Sequence, residues 1–134
     1  MFGEQLKLRL GGATVRGAGK RADRARHRRV QVRLRARDHA RRLMQKPVEA
    51  RGLLCGMPVP IKDLTNVAGV RSTQGSLVFA DHVPETSDVM VEHIEAEGGI
   101  VYAKSNTPEF GAGAHTFNEV FGVTRNPSNT KLSA

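Results

Sequence analysis

The sequence predicts an α/β fold, because an apolar strand, a helix and a second apolar strand follow one another in its second half. The first strand covers residues 57–61 and the second covers residues 100–103. Between them, apolar side chains recur at helical spacing until Gly98-Gly99 stops the helix. This order forms a βαβ unit, which has parallel strands and a right-handed crossover.

The first strand contains two prolines and ends in a pair of charged residues. Pro58 and Pro60 confine it to an edge, or to pairing on one side, because proline has no N–H to donate. Lys62 and Asp63 follow at the carboxyl end, where open α/β sheets place their chemistry. Lys104 ends the second strand, so both lysines are expected at one edge of the sheet. Taken alone, a lysine at a strand end is most often a solvated surface residue.

The helix between the strands has a predicted beginning. Thr86 or Ser87 is expected to cap it, and Asp88 in its first turn opposes the positive end of the helix dipole. After the second strand, residues 105–134 are rich in Gly, Asn and Thr and are predicted to be mostly loop.

The first third of the chain is strongly basic. Residues 1–51 hold 16 Lys and Arg against 4 Asp and Glu, whereas residues 52–134 hold 5 against 9. The net charge of +8 therefore belongs wholly to the first third. Such an arm could neutralise phosphates and bind nucleic acid without reading its sequence. Its one aromatic residue, Phe2, offers no stacking platform, and no recognition-helix motif is visible.

Local signals within this basic arm conflict. Val30, Val32 and Leu34 alternate with polar residues as in a strand, and from Leu34 the spacing becomes helical as far as Pro47. Because the strand-like and helix-like patterns disagree, we predict a disordered or irregular arm over residues 1–46, followed by a folded domain over residues 47–134. Two explanations stay open for the Arg-, Gly- and Ala-rich residues 11–42: a genuine basic arm, or an out-of-frame reading of a GC-rich gene.

The stretch GMPVPIKDLTNVAGVRSTQGS resembles the opening segment of the amidase signature family, where G-x-P-x-x-x-K-D carries the catalytic lysine. Further motifs follow in the family's order: a D-x-x-x-V helix, an apolar strand, K-[ST]-N-[TM]-x-E-F and N-x-x-F-G-x-T-x-N-P. The resemblance covers about 80 residues, from around Leu53 to Ala134. It implies part of an α/β/α fold, in which the βαβ unit belongs to a mixed sheet.

The resemblance also implies a function and its residues. Intact relatives cleave the C–N bond of small-molecule amides, with Lys62 matching the general base that acts through a cis-serine on a nucleophilic serine. They include general amidases and transamidating subunits that modify aminoacyl-tRNA. The loop after the second strand is expected to line the substrate cleft, through Asn106, Thr107, Glu109 and Phe110.

The family's GGSS-G-G signature, which carries the two serines, is expected to follow Ala134. The chain is therefore interpreted as an N-terminal fragment that is inactive alone, and a non-catalytic relic is a further alternative. Ser72, Ser76 and Ser133 are expected to be loop residues and not the nucleophile. Lys62 needs burial to act as a neutral base, and in this chain alone its amine is expected to stay hydrated.

Metal sites, cofactor sites, membrane spans and a secretory signal are predicted to be absent. The five histidines lie far apart and none pairs with Cys55 at metal-ligand spacing, so neither a metal nor a cofactor is expected. No apolar run reaches the 18 residues of a membrane span, and no secretory signal is visible. A single cysteine fits a reducing compartment, and the expected location is cytoplasmic.

Overall fold

A computed structural model describes residues 32–134 of the chain. Two helices, four strands and three short 3-10 helices are found in this part. The helices are α1 (residues 32–44) and α2 (Val89–Ala96), and the 3-10 helices are Val48–Ala50, Leu77–Phe79 and Glu109–Gly111. The strands are β1 (Pro58–Lys62), β2 (Ile100–Ser105), β3 (Phe117–Asn118) and β4 (Gly122–Val123).

The predicted βαβ unit is confirmed. Strands β1 and β2 pair in parallel, and α2 forms the crossover between them. Each strand runs further than predicted at its carboxyl end, to Lys62 in β1 and to Ser105 in β2. The two strands therefore end side by side, with Lys62 opposite Ser105 in register.

A β-bulge interrupts this parallel pair. Val59 lies opposite Val101 but Pro60 lies opposite Ala103, so Tyr102 has no partner in β1. The bulge occurs where Pro60 lacks the N–H that a regular ladder would use. In a register without the bulge, Lys62 would stand opposite Lys104; with it, Lys104 stands opposite Ile61 instead. The bulge thus places the two lysines on opposite faces of the sheet.

The core consists of small apolar side chains on the Ile61 face of the sheet. Ile61 is 2% exposed and Val101 is 1% exposed, and both pack with Val91 from α2. The other members are Val32, Val67 and Val70, with Val59 and Ile94 partly buried beside them. Helix α2 and the loop after β1 therefore cover the same face of the β1–β2 pair.

Helix α2 begins differently from the prediction. Its N-cap is Asp88, which makes no side-chain capping bond, so the expected caps Thr86 and Ser87 are wrong. Two side chains at this position bond to the loop after β1 and not to the helix: Ser87 Oγ accepts from the Ala68 N–H at 2.9 Å, and Asp88 Oδ2 accepts from the Asn66 N–H at 2.9 Å. The first turn of α2 is thereby tied to that loop.

The glycine stop of α2 is confirmed. Gly98 has a φ of 84°, and the Gly99 N–H donates to the carbonyl oxygen of Ile94 at 2.8 Å, as in a Schellman motif. A Cβ atom at Gly98 would lie 2.2 Å from the carbonyl oxygen of Arg51. Both the backbone conformation and this close approach therefore require glycine here.

The end of the basic arm is a helix that packs on the core. Because α1 covers residues 32–44, the strand-like interpretation of Val32 and Leu34 is wrong. Val32, Ala36 and Leu43 are buried on one helical face, which outweighs the local alternation. The prediction of an irregular arm is therefore wrong for residues 32–44. Val30 and the rest of residues 1–31 lie outside the described residues, so the irregular arm there and the division between residues 46 and 47 stay predictions.

The C-terminal segment is mostly loop, as predicted, but it also contains a small hairpin. Strands β3 and β4 pair antiparallel, and the Asn118 side chain holds their turn by accepting from the N–H groups of Val120 and Phe121. Strands of two residues show no detectable alternation in sequence, and the hairpin was therefore not predicted.

Candidate functional site

The carboxyl ends of β1 and β2 form the edge of the sheet where the site was expected. Lys62 and Ser105 are partners in register, so Lys62 lies beside the start of the loop that contains Asn106. The Lys62 side chain is exposed and points away from the core face. This agrees with the expected hydration of its amine in this chain, and its role as a base stays a prediction.

The second lysine of this edge, Lys104, occupies a very different environment. Its side chain is 12% exposed, and Nζ donates to the Thr65 carbonyl oxygen and to Ser72 Oγ, the latter at 2.9 Å. Asp63 Oδ1 lies 3.6 Å from the same nitrogen. Lys104 therefore joins the end of β2 to three points on the loop that follows β1.

Asp63 organises the first turn of this loop. Its carboxylate is buried and accepts from the Thr73 backbone N–H at 3.1 Å and from Thr73 Oγ1 at 2.5 Å. Its backbone N–H donates to the Ser105 carbonyl oxygen at 3.0 Å, and its carbonyl oxygen accepts from the Gln74 N–H at 2.9 Å. One residue thus links β1, β2 and the loop.

Burial lowers the pKa of Lys104 from its ordinary value, and the Asp63 carboxylate opposes that shift through its charge and a hydrogen bond. Nζ donates hydrogen bonds to oxygen atoms of Thr65 and Ser72, and it forms an ion pair with the Asp63 carboxylate at 3.6 Å. Lys104 is therefore held mainly by partners inside the protein.

The three candidate serines lie in separate places. Ser72 is 1% exposed and bonded to Lys104, and Ser76 accepts from the Val78 N–H at 3.3 Å as the cap of a 3-10 helix. Ser133 is 3.0 Å from His115 Nδ1. Within residues 32–134, none of the recorded bonds joins these serines to Lys62. Their assignment as non-nucleophilic residues stays a prediction, which their engagement elsewhere supports.

In the loop after β2, Asn106 uses both ends of its side-chain amide within the chain. Nδ2 donates to Thr124 Oγ1 at 2.9 Å, and Oδ1 accepts from Asn118 Nδ2 at 2.6 Å. Asn118 Nδ2 also donates to the Thr107 carbonyl oxygen at 2.7 Å. Asn106 therefore anchors the C-terminal hairpin to the end of β2.

The other expected cleft residues differ in exposure. Thr107 is fully buried, and its hydroxyl has no hydrogen-bond partner in the described part of the chain, whereas Glu109 and Phe110 are exposed. Phe110 has a φ of 49° and its N–H donates to the carbonyl oxygen of Gln74, whose φ is 54°. Such strained conformations persist where surrounding contacts impose them. That these residues line a substrate cleft stays a prediction.

A cleft of about 470 Å³ opens on the Lys104 side of this edge. Its wall includes Asp63, Tyr102, Lys104 and Asn106, together with Arg71, whose guanidinium lies 4.8 Å from the centre of the Phe121 ring. Lys62 does not line it. The wall also includes Ser105, the register partner of Lys62, so the cleft reaches the strand end beside the predicted base.

Across residues 32–134, no group of three or more His, Cys, Asp or Glu side chains is arranged to hold a metal ion. Neither α1 nor α2, over the residues described, is long and apolar enough to cross a membrane.

The sequence indicated Lys104 as a strand end but gave it no role. Its partners Thr65 and Ser72 were missed, and so was Thr73, which binds Asp63. The one feature of the sequence that could have indicated this role is a second lysine at a strand end, together with a polar loop after the first strand. The bulge at Tyr102, which decides where that lysine points, leaves no pattern in the sequence.

Comparison with protein families shows a match to the family described as Amidase over residues 20–134. A mitochondrial glutamyl-tRNA(Gln) amidotransferase subunit of Ixodes scapularis is 40% identical over 89 residues, which are 66% of this chain and 17% of that protein. An acylamidase of Rhodococcus erythropolis is 40% identical over 83 residues, 62% of this chain and 17% of that protein. The chain thus spans about a sixth of the length of these two relatives.

Solved structures with a similar fold were also found. The 6-aminohexanoate cyclic dimer hydrolase superposes with a TM-score of 0.64 at 27% identity, covering 74% of this chain and 20% of that one. A chain from a vestigial protein complex linked to the origins of an s-triazine catabolic enzyme gives a TM-score of 0.65 at 29% identity, covering 72% and 22%. The match to the family begins at residue 20, within the arginine-rich arm.

Proposed function

The chain belongs to the amidase family, and from this premise we propose that it supplies the general-base segment for hydrolysis of carboxamide C–N bonds, with Lys62 as the base. The observation that carries the proposal is the register of β1 and β2. It brings Lys62 to the carboxyl edge of a parallel pair, beside Ser105 and the loop that starts at Asn106. This edge is where open α/β sheets bind their ligands.

The proposed reaction is acyl transfer to a serine followed by hydrolysis. The Lys62 amine, in its neutral form, accepts a proton relayed from the attacking serine hydroxyl through a second serine. The serine oxygen bonds to the amide carbonyl carbon, the C–N bond breaks, and the leaving amine takes the proton. Water then cleaves the acyl-serine ester and releases a carboxylic acid.

The two serines of this mechanism are proposed to lie outside residues 1–134, in a glycine- and serine-rich signature. Ser72 and Ser76 are each 1% exposed, and neither is bonded to Lys62. We therefore expect the chain alone to hydrolyse no amide, because the covalent route needs its nucleophile. In this account, the sequence that carries the serines would also bury Lys62, because burial favours the neutral form of an amine.

The proposed substrates are small-molecule amides. The relatives named above include an acylamidase and part of an amidotransferase, so the amide bond is the feature that their names share. The exposed aromatic ring of Phe110, in the loop after β2, favours an amide with an apolar acyl or amine group.

A graft tests this proposal. The segment of the Rhodococcus erythropolis acylamidase that matches this chain over 83 residues is replaced by the corresponding residues of this chain. We expect the graft to hydrolyse an aryl amide. Lys62→Met should lower its kcat at least about a thousandfold, because residues that act as a unit fail together.

The matched control is Lys131→Met, which removes an exposed lysine far along the chain from β1. It should leave the activity of the graft unchanged. Activity that survives Lys62→Met would refute the assignment of Lys62 as the base.

A further inference from the structure

The loop that follows Lys62 is held from the neighbouring strand by one charged side chain. Lys104 Nζ binds Ser72 Oγ and the Thr65 carbonyl oxygen, and Asp63 Oδ1 lies 3.6 Å away. Asp63 is the residue next to Lys62, and its side chain is 3% exposed. The side chain of Lys104 is thus paired with Asp63, the residue that follows the predicted base in the chain.

The Asp63 carboxylate has two groups of partners. Thr73 supplies its backbone N–H and its hydroxyl, and Lys104 supplies the positive charge. A buried carboxylate that loses its cation keeps its desolvation cost without the compensating attraction. Removing Lys104 should therefore displace Asp63 or the loop, whereas removing both charges together should cost less.

The backbone transmits this contact to the end of β1. The Asp63 N–H donates to the Ser105 carbonyl oxygen at 3.0 Å, which closes the β1–β2 ladder one residue beyond Lys62. The Asp63 carbonyl oxygen accepts from the Gln74 N–H at 2.9 Å. A shift of Asp63 would loosen both bonds and so change the direction of the Lys62 side chain.

We propose that Lys104 is a positioning residue for the amidase reaction: through its ion pair with Asp63, it fixes the strand end that carries Lys62. The proposal rests on the proposed function of Lys62. Lys104 acts in this account through Asp63 and not by contact with the substrate, because its amine already binds Thr65 and Ser72 and is paired with Asp63.

Hydrogen exchange of the full 134-residue chain is the first test. Lys104→Met retains the length of the side chain and removes its charge. We expect the amides of Asp63, Thr73 and Gln74 to exchange about tenfold faster or more, because each is bonded within this network. The amide of Gly99, bonded to Ile94 at the end of α2, serves as the reference and should change less than about threefold.

The double variant Lys104→Met/Asp63→Asn separates charge pairing from packing. It removes both charges and leaves an amide oxygen for Thr73 to bind, so exchange should return to within about threefold of the native rate. Unchanged exchange in Lys104→Met, acceleration that is equal at Gly99, or a double variant worse than the single one would each overturn the proposal.

The graft gives the second test. There, Lys104→Met should lower kcat about tenfold and leave KM within about threefold, and Asp63→Asn added to it should restore part of kcat. An unchanged kcat would overturn the positioning role. If the graft with both lysines intact is inactive, the proposed function fails instead, and the exchange measurement alone decides whether Lys104 fixes this strand end.

Discussion

The two lysines at the edge of the β1–β2 pair have similar places in the sequence and opposite environments. Lys62 ends β1 and is exposed, whereas Lys104 lies one residue before the end of β2 and is bonded to the buried loop that follows β1. Both follow an apolar strand, so strand position alone does not separate them. What separates them is the bulge at Tyr102, which turns Lys104 towards the core face.

The comparison shows that lysines on the two faces of one sheet edge can have different roles. On the core face, a lysine is held by three oxygen atoms and ties a loop to a strand. On the opposite face, the Lys62 side chain is exposed, and by our proposal it acts as the base. One inserted residue in a strand moves the following side chain to the other face of the sheet. It thereby decides which lysine holds the structure and which, by our proposal, takes part in catalysis.

The largest expected effect on stability comes from breaking the Lys104–Asp63 pair. Lys104→Met should lower the free energy of unfolding by about 3 kcal/mol, because a buried carboxylate is left without its cation. Lys62→Met, the matched change on the exposed face, should change it by less than about 0.5 kcal/mol. Urea denaturation followed by circular dichroism measures both. Equal effects of the two variants would remove the distinction between the faces.

The core face can also be tested without charge. Val101→Ala removes two methyl groups from a side chain that is 1% exposed, and it should cost about 2 kcal/mol. Tyr102→Phe, at the neighbouring bulge residue that is 45% exposed, should cost less than about 0.5 kcal/mol. The same denaturation experiment compares them, and a larger loss for Tyr102→Phe would contradict the assignment of the faces.

How far the sequence predicted this arrangement depended on the range of the interactions. The parallel pair and the glycine stop at Gly98 follow from local patterns, and both were predicted. The cap of α2 was wrong because Ser87 and Asp88 bond to residues 66–68, about twenty positions away. The bulge and the Lys104 contacts likewise join segments that are distant in sequence. The local spacing of apolar and polar residues contains no information about such contacts.

Helix α1 illustrates the same limit in the basic arm. Alternating polar residues indicated a strand near Val32, but burial of one helical face and an ion pair to α2 favour the helix. Arg35 Nη2 lies 2.7 Å from Glu95 Oε2, and a second contact joins Nη1 to Oε1. An arginine-rich composition therefore did not prevent this segment from packing on the core.

A smaller effect is expected where α1 meets α2. Arg35→Met should lower the free energy of unfolding by about 1 kcal/mol, because the Arg35–Glu95 pair is only partly exposed but still reached by solvent. The loss should shrink in high salt, which screens this pair more than the buried Lys104–Asp63 pair. Arg41→Met, whose pair with Asp38 is exposed, is the control and should have almost no effect. A loss that is unchanged by salt would contradict this account.

The smallest effect concerns pH. Burial lowers the pKa of His39 on α1, although Glu95 opposes the shift. Because the folded state binds the proton more weakly than the unfolded state does, the free energy of unfolding should fall as pH decreases below 6.5. His39→Gln should make this slope shallower in denaturation curves measured between pH 7 and pH 5. A slope that His39→Gln leaves unaltered would assign the pH dependence to other groups.

The most direct test of the central comparison is competitive reductive methylation of lysines in the native chain, read by mass spectrometry. The account predicts that Lys62 reacts about as fast as the exposed Lys131. Lys104 should react at least about tenfold more slowly, because its amine is hydrogen-bonded to Thr65 and Ser72 and its side chain is largely buried. Equal rates at Lys62 and Lys104, or a slower rate at Lys62, would contradict the assignment of one lysine to chemistry and the other to structure.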